Sequence, residues 1–403
     1  MLKKYTCDNG LRIVLEDIPA VRSVTVGIWI RTGSRNETES NNGISHFLEH
    51  MFFKGTASRT AKDIAEEFDA IGGQVNAFTS KEYTCFYAKV LDTHKEYALE
   101  ILADMFFHST FDKQEMEREK KVVLEEIKMS EDTPDDIIHD MLSEVSYGNH
   151  PLAYPILGTA ETLANFQQDD LRRYKEHHYT PANVVISVAG NVDDSYFKHV
   201  EKLFGKYETD DSSASYKQPS FIAKHMERKK ETEQAHLCLG YQGLPVDDSS
   251  IYSLIVMNNV LGGSMSSRLF QEVREQRGLA YSVFSYHSSF IDDGLLTIYA
   301  GTGKEQLSIL KETIEETIGN LMHNGLTDKE LRNSKEQLKG NLMLSLESTN
   351  SRMSRNGKNE LILNRHRSLD EMVNEIDNVS HESTNHIIHS LFKQANSSAL
   401  IAP

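Results

Sequence analysis

Residues 46–50 read His46-Phe47-Leu48-Glu49-His50, and this stretch constrains the chain more than any other. Two histidines four residues apart lie on one face of a helix, one turn from each other. Their imidazole nitrogens can therefore reach one metal ion at about 2.0–2.1 Å each. The glutamate directly before the second histidine can stand beside the open coordination position and take a proton from a water molecule there. The stretch predicts a helix that carries a metal-dependent hydrolytic site.

The apolar residues in and after this motif argue that its helix is buried. They are Phe47, Leu48, Met51, Phe52 and Phe53. Buried histidine and glutamate side chains need partners or a metal. Against this, the chain has 17 histidines, so the pattern can arise by chance. A histidine pair on a helix is also more often solvated or hydrogen-bonded than metal-bound. The apolar surroundings favour the metal over this simpler interpretation.

The composition predicts a soluble, cytoplasmic protein. A length of 403 residues suggests two domains, and no apolar run approaches the roughly 18 residues that a transmembrane helix needs. The net charge of −17 argues against nucleic acid or an anionic membrane as partner. It fits basic peptide substrates, or simply a solubilising acidic surface. Cys7, Cys85 and Cys238 are widely spaced, as reduced thiols would be, and the N-terminus has no targeting pattern.

The first half of the chain mixes strand and helix signals. Asp8-Asn9-Gly10 between two strand-like runs predicts a hairpin. Thr60-Ala61-Lys62-Asp63 resembles a capping box that opens a helix. Residues 33–43 are polar and predict a loop before the helix of the metal motif. The other predicted elements are a strand at 24–30, two strands within 74–90, and helices at about 93–108 and 112–130.

The second half repeats the first in outline after a polar, unpatterned stretch at 206–220, which predicts a linker. Asp112-Lys113 and Asp328-Lys329 begin corresponding long helices, and their offset of 328 − 112 = 216 is close to half of the 403 residues. The metal motif has no second copy, since Leu261-Gly262-Gly263-Ser264 stands near its place. The repeated elements are a strand at 235–241, a helix at 248–261, strands within 281–301, and helices at 303–323 and 327–348.

These patterns predict an α+β fold with two homologous domains, residues 1–205 and 221–403. Each domain has strands in hairpins followed by paired helices. We therefore expect each to be a mainly antiparallel sheet with helices packed on one face. Only the first domain carries the metal motif, so the repeat is one of structure and not of the metal site.

Helical geometry narrows the search for a third metal ligand in the acidic segment 115–126. On a wheel with about 100° per residue, Glu119 and Glu126 fall within about 20° of each other, and Glu125 falls on the opposite side. Glu119 and Glu126 are therefore expected to point toward the core, and Glu125 toward solvent. Buried carboxylates are costly without a cation, which is either a buried Arg or Lys or a metal. The wheel groups Met116, Val122, Val123 and Ile127 with these carboxylates and leaves Leu124 as the one apolar residue out of place.

With these residues, the chain resembles the pitrilysin-type zinc peptidases, whose H-x-x-E-H order is also called the inverzincin motif. It looks most like the mitochondrial processing peptidase branch and its bacterial relatives, over nearly the whole length. The resemblance implies one Zn²⁺ per chain, held by His46, His50 and Glu126, the last being the family's glutamate 76 residues beyond the second histidine. It also implies that Glu119, seven residues earlier, supports the site.

The resemblance extends to substrate binding. Asn76, Ala77, Phe78 and Thr79 match an edge strand that binds substrate as an added β-strand. Arg274 and Tyr281 match a pair that approaches the zinc from the other half of the chamber. The pitrilysin relatives of the insulin-degrading type have four domains, whereas this sequence has two, so a complete chamber implies two chains. A homodimer is therefore expected.

We expect a zinc metalloendopeptidase that cleaves extended or unfolded peptides, with Glu49 as the general base. Tyr281 could donate a hydrogen bond toward the developing oxyanion. Arg274 could grip the substrate backbone or hold Tyr281. The alternative is a non-catalytic core, assembly or peptide-binding subunit of the same fold, which the intact motif disfavours. A metal hydrolase acting on non-peptides is disfavoured by the strand-binding edge.

Overall fold

The computed structural model describes residues 2–207 and 216–403. Most of the predicted linker at 206–220, namely residues 208–215, lies outside the described residues. The strands are β1 Leu2–Thr6, β2 Arg12–Asp17, β3 Ser23–Ile30, β4 Gln74–Thr79, β5 Thr84–Leu91, β6 Val184–Gly190, β7 His225–Lys229, β8 Ala235–Gln242, β9 Ala280–Ser289, β10 Gly294–Thr302 and β11 Ser397–Ala402.

The helices occupy the stretches between these strands. They are α1 Ile44–Phe52, α2 Ala61–Ala70, α3 Lys95–His108, α4 Lys113–Asp132, α5 Pro134–Tyr147, α6 Ala160–Asn165, α7 Gln168–His178, α8 Ser195–Phe204, α9 Ile251–Leu261, α10 Leu307–Asn324, α11 Asp328–Ser345, α12 Thr349–Lys358, α13 Leu369–Asp377 and α14 His381–Phe392. Two π-helical segments span Phe270–Gln276 and Asn359–Leu363. The predicted elements are all present, with ends shifted by a few residues.

The predicted turn and cap signals form as expected. At the first hairpin, Gly10 has φ +87° and the Asn9 side chain accepts a hydrogen bond from the Leu11 amide at 3.1 Å. This joins β1 to β2 in an antiparallel pair. At α2, the Thr60 side chain accepts from the Asp63 amide, while the Asp63 carboxylate accepts from the Thr60 amide at 2.8 Å. Both signals are local, so the flanking sequence alone fixes them.

The described residues form two sheets that share a five-strand order, to which the first sheet adds the edge strand β1. The first runs β1-β2-β6-β3-β5-β4 and the second β7-β11-β8-β10-β9. Each sheet has one parallel pair, β2 with β6 and β7 with β11, and its other pairs are antiparallel. Strands β2, β6, β3, β5 and β4 thus correspond in order to β7, β11, β8, β10 and β9. The prediction of two homologous, mainly antiparallel domains is confirmed.

Each sheet carries helices on both faces, whereas the sequence predicted one. In the first, α12 packs on β3 and β6, where Trp29, Val185 and Met353 are buried together. In the second, α5 packs on β8 and β11. The central strands explain this: β6 is buried at every residue and β3 at all but one. Continuous burial, without alternation, is typical of a strand covered on both sides.

Two compact units result. Unit 1 comprises Met1–Lys128, Tyr154–Tyr216 and Ser345–His366, and unit 2 comprises Met129–Ala153, Lys217–Leu344 and Arg367–Pro403. The predicted domains 1–205 and 221–403 would instead divide the chain at a single place. The difference arises because each half of the chain gives one helix to the other unit. The helix α5 precedes the predicted linker but belongs to unit 2, and α12 follows the linker but belongs to unit 1. Within residues 2–207 and 216–403, no helix combines the length and apolar character that crossing a bilayer requires.

Candidate metal centre

A buried carboxylate fixes the start of α1, the helix that carries the motif. Glu37 accepts hydrogen bonds from the amides of Gly43 and Ser45 and from the Asn42 side chain, each at 2.8 Å. Burial raises the pKa of Glu37, although these donors oppose the shift. A carboxylate at a helix N-terminus also interacts favourably with the helix dipole. Since His46 directly follows Ser45, this contact positions the first predicted ligand. No pattern in the sequence marks Glu37 for this role.

The structure brings His46, His50 and Glu126 together. The Nε2 atoms of the two histidines lie 3.7 Å and 3.5 Å from Oε2 of Glu126. Among the described residues, these three form the one group whose ligand atoms all lie within 4.8 Å of one another. Ligands at about 2.1 Å in a tetrahedron are separated by about 3.4 Å, close to these distances. The three donors therefore fit a zinc ion.

The surroundings shift the pKa values of the two histidines in opposite directions. Burial, helped by the nearby His50, lowers the pKa of His46 to about 3, so its ring stays neutral and able to bind a metal. Its Nδ1 is buried and has no hydrogen-bond partner in the described part of the chain. Burial would also lower the pKa of His50, but the hydrogen bond to Glu119 and the charges of Glu126 and Glu49 outweigh it and raise this pKa.

Glu119 contacts His50 from the side away from the metal position. Its Oε1 lies 2.8 Å from Nδ1 of His50, and its Oε2 lies 2.6 Å from Nζ of Lys54. Burial would raise the pKa of Glu119, but His50 and Lys54 together lower it. The sequence left open whether a buried carboxylate pairs with a metal or with a basic side chain. For Glu119 the partners are a histidine and a lysine, and nothing in the sequence pattern pointed to Lys54.

Glu49 lies beside the three donors and is held by β4. The Thr79 hydroxyl donates a hydrogen bond to its Oε2. Burial raises the pKa of Glu49, and the charge of Glu126 adds to this, while Thr79 and His50 oppose it. A carboxyl group with a raised pKa suits proton transfer near neutral pH. The contact also gives Thr79 a role that its predicted place in a substrate-binding strand did not indicate.

The helix α4 presents its carboxylates nearly as the wheel predicted. The side chain of Glu119 is 6% exposed and that of Glu126 35%, whereas that of Glu125 is 71% exposed and paired with Lys128 at 2.7 Å. Two apolar assignments were wrong: Val122 is 47% exposed, and Leu124 packs on the core. The buried face is centred about 60° away from Glu119, so Glu126 lies at its margin, facing the two histidines.

The strand β4 ends the sheet order and, within residues 2–207 and 216–403, pairs with β5 alone, so its other edge is open to this part of the chain. Ala77 packs with the cluster that includes α1, and Thr79 contacts Glu49 on that side. Phe78 points to the other face and packs on Trp29, with ring centroids 5.6 Å apart. Asn76 lies on the same face as Phe78 and is exposed, and its side-chain oxygen accepts a hydrogen bond from the Ala77 amide at 2.8 Å. Of the four predicted residues, two therefore face the site.

Arg274 and Tyr281 belong to unit 2. The Arg274 guanidinium lies 4.3 Å from the centroid of the Tyr281 ring and 4.8 Å from that of Phe270. Tyr281 is 77% exposed, at the start of β9, the edge strand that corresponds to β4. The two predicted residues therefore contact each other, and the tyrosine hydroxyl belongs to an exposed side chain.

Comparison with known proteins gives a consistent result. Residues 12–160 match the family described as insulinase, peptidase family M16, and residues 165–338 match the peptidase M16 inactive domain. The chain is 64% identical over 403 residues to the uncharacterized zinc protease YmxG of Bacillus subtilis, covering all of this chain and 98% of that protein. It is 40% identical over 416 residues to an uncharacterized zinc protease of Streptomyces coelicolor, covering all of this chain and 90% of that protein.

Solved structures share the fold. The crystal structure of a protease from Helicobacter pylori matches with a TM-score of 0.93 at 22% identity, covering all of this chain and 99% of that one. A peptidase M16 inactive domain structure from Pseudomonas fluorescens matches with a TM-score of 0.92 at 20% identity, covering all of this chain and 98% of that one.

Proposed function

The chain belongs to the insulinase family of peptidases, peptidase family M16, and we propose that it is a zinc-dependent endopeptidase that cleaves extended peptides. Zinc is the metal that this membership implies. The observation that carries the proposal is the meeting of His46, His50 and Glu126 with Glu49 beside them. A non-catalytic subunit would not need this complete set. The three free, buried cysteines support a reducing compartment, the cytoplasm.

His46, His50 and Glu126 would hold one Zn²⁺ per chain. When bound, the metal supplies Lewis acidity that activates a water molecule and polarises the scissile carbonyl. Glu49 accepts the proton of the attacking water and then delivers it to the leaving amine. Its hydrogen bond from Thr79 holds the carboxylate in place for both transfers. Glu119 accepts from Nδ1 of His50, which directs the other ring nitrogen toward the metal position.

The open edge of β4 supports binding of the substrate as an added strand. Main-chain hydrogen bonds along Asn76, Ala77, Phe78 and Thr79 would then supply affinity with modest sequence preference. The Asn76 side chain accepts from the Ala77 amide, so it must release this donor when a peptide adds. Tyr281 would donate toward the developing oxyanion, and Arg274 would hold Tyr281 or grip the substrate backbone. Their mutual contact supports a joint role.

Metal dependence and substrate state test this function. We expect cleavage of flexible peptides and disordered tails, loss of activity on chelation, and recovery with zinc. An enclosed chamber should exclude folded proteins, so a compact domain should be cut far more slowly than its unfolded form. Equal rates on both forms would contradict the chamber. A protein without zinc and without activity on any unfolded substrate would be a non-catalytic subunit.

We further propose a homodimer in which Arg274 and Tyr281 of one chain serve the zinc of the other. Its basis is the resemblance to four-domain relatives, where the corresponding groups lie in different domains. Glu49→Gln lacks the base and Arg274→Ala lacks the substrate anchor. In a mixed dimer one site collects both defects and the other neither, so random reassociation should restore roughly a quarter of the wild-type activity. No recovery would mean that Arg274 serves the zinc of its own chain.

A further inference from the structure

The residue after the C-cap of α1 is linked to the metal site through a buried carboxylate. Lys54 follows His50 by one helical turn, and its amide still donates to the Met51 carbonyl at 3.2 Å. Its Nζ lies 2.6 Å from Oε2 of Glu119, whose Oε1 lies 2.8 Å from Nδ1 of His50. Lys54, Glu119 and His50 therefore form a continuous chain from a cation, through a carboxylate, to an imidazole.

The burial of Glu119 gives the cation a specific task. The Glu119 side chain is 6% exposed, and a carboxylate at such a site needs a compensating positive charge. With the two oxygens divided between two partners, the carboxylate is held at both ends. The oxygen that faces His50 then stays aligned with Nδ1, and a ring whose Nδ1 donates presents its Nε2 lone pair to a metal.

We propose that Lys54 is a positioning residue of the zinc site, which holds Glu119 against His50 and so sets the affinity of the site for the metal. This inference rests on the proposed function, because it presumes that His50 binds zinc. Lys54 acts only through Glu119. Two consequences follow: the positive charge is what matters, and Lys54 is dispensable once Glu119 carries no charge.

The test is the zinc dissociation constant, measured by competition with a chromogenic chelator on the full chain. Lys54→Met should weaken zinc binding by about 10–100-fold, the usual effect of removing a group that orients a metal ligand. Lys54→Arg should restore most of the affinity. Lys62→Met is the matched control, since Lys62 is exposed and pairs with Glu66 at 3.2 Å. This control should leave zinc binding unchanged.

A double substitution separates positioning from general destabilisation. In a Glu119→Gln background, adding Lys54→Met should cause no further loss of zinc affinity, because the buried charge is already gone. This comparison stands even if Lys54→Met alone does not fold. An unchanged affinity in Lys54→Met, or an equally large loss in both backgrounds, overturns the inference and leaves the proposed function intact. A wild-type chain that binds no zinc overturns both.

Discussion

The two units place different chemistry on the same framework. In unit 1, α1 contacts α4 through His50 and Glu119 and contacts β4 through Glu49 and Thr79. In unit 2, α9 takes the place of α1, α11 that of α4, and β9 that of β4. The stretch Leu261-Gly262-Gly263-Ser264, predicted to stand near the place of the motif, lies at the end of α9, since Leu261 is the last residue of this helix and Gly262 is its C-cap.

Uncharged side chains make the contacts of α9 with α11 and with β9. The Asn259 amide donates to the hydroxyl of Ser334 and to the side-chain oxygen of Gln337, each at 3.0 Å. The Ser285 hydroxyl donates to the Asn258 side chain at 2.7 Å. Amides and hydroxyls satisfy one another when buried and need no cation. Among the described residues, the one group of donors that could hold a metal ion therefore lies in unit 1.

The largest expected difference concerns Glu49 and its counterpart in unit 2. Glu49→Gln should keep zinc, because Glu49 is no ligand, and should lower peptide cleavage by at least about 10²–10⁴-fold through loss of the base. Asn258→Ala in unit 2 should leave turnover of the folded enzyme close to the wild-type value. Kinetics with metal analysis on both variants decide this. Loss of zinc from Glu49→Gln, or near-normal turnover, contradicts the role of Glu49.

The next effect separates two neighbouring carboxylates of α4. Glu126→Gln should weaken zinc binding by more than the roughly 100-fold that a supporting group contributes, because it removes a direct ligand. Glu125→Gln should change little, since this side chain is 71% exposed and paired with Lys128. Glu119→Gln should impair activity with a smaller effect on the metal. If Glu125 proves to be the metal-sensitive position, the face of α4 is misassigned.

A smaller difference in the free energy of unfolding is expected between substitutions at the starts of α1 and α9. Glu37→Gln should lower the free energy of unfolding by about 1–3 kcal/mol, because buried amides lose their carboxylate acceptor. At α9 the Asp248 side chain accepts from the Ser250 amide at 2.7 Å, in a less buried place. Asp248→Asn should therefore stay within about 0.5 kcal/mol of wild type. Urea unfolding measures both, and equal effects would remove the special role of Glu37.

The sequence predicts well what depends on neighbours along the chain. The hairpin at Asn9-Gly10, the cap at Thr60 and the face of α4 that carries Glu119 and Glu126 all follow from local pattern. What it misses depends on distant segments. The helices α5 and α12 cover sheets far from their own neighbours in sequence, and Lys54 gains its meaning only when α4 brings Glu119 to it.

The roles of individual site residues divide in the same way. The spacing of His46 and His50 predicts a metal motif, and the helix wheel places Glu126 on the same face of α4 as Glu119. In the structure Glu126 lies next to the two histidines. The choice of Glu126 over Glu119 as ligand, and the importance of Arg274 with Tyr281, came from the family resemblance. Residue spacing cannot decide between the two carboxylates, because a helix wheel gives the direction of a side chain but no distance to the histidines. It also cannot link Arg274 and Tyr281 to α1, because they are far from α1 in the sequence.

Counting zinc in the purified wild-type chain tests the comparison most directly. We expect about one zinc ion per chain, bound in unit 1 and lost when His46 and His50 are both replaced by alanine, while the fold persists. Unit 2, with amides and hydroxyls at the corresponding place, should contribute none. A content near zero would contradict the zinc site itself. A content near two that survives the double substitution would contradict the claim that only unit 1 carries it.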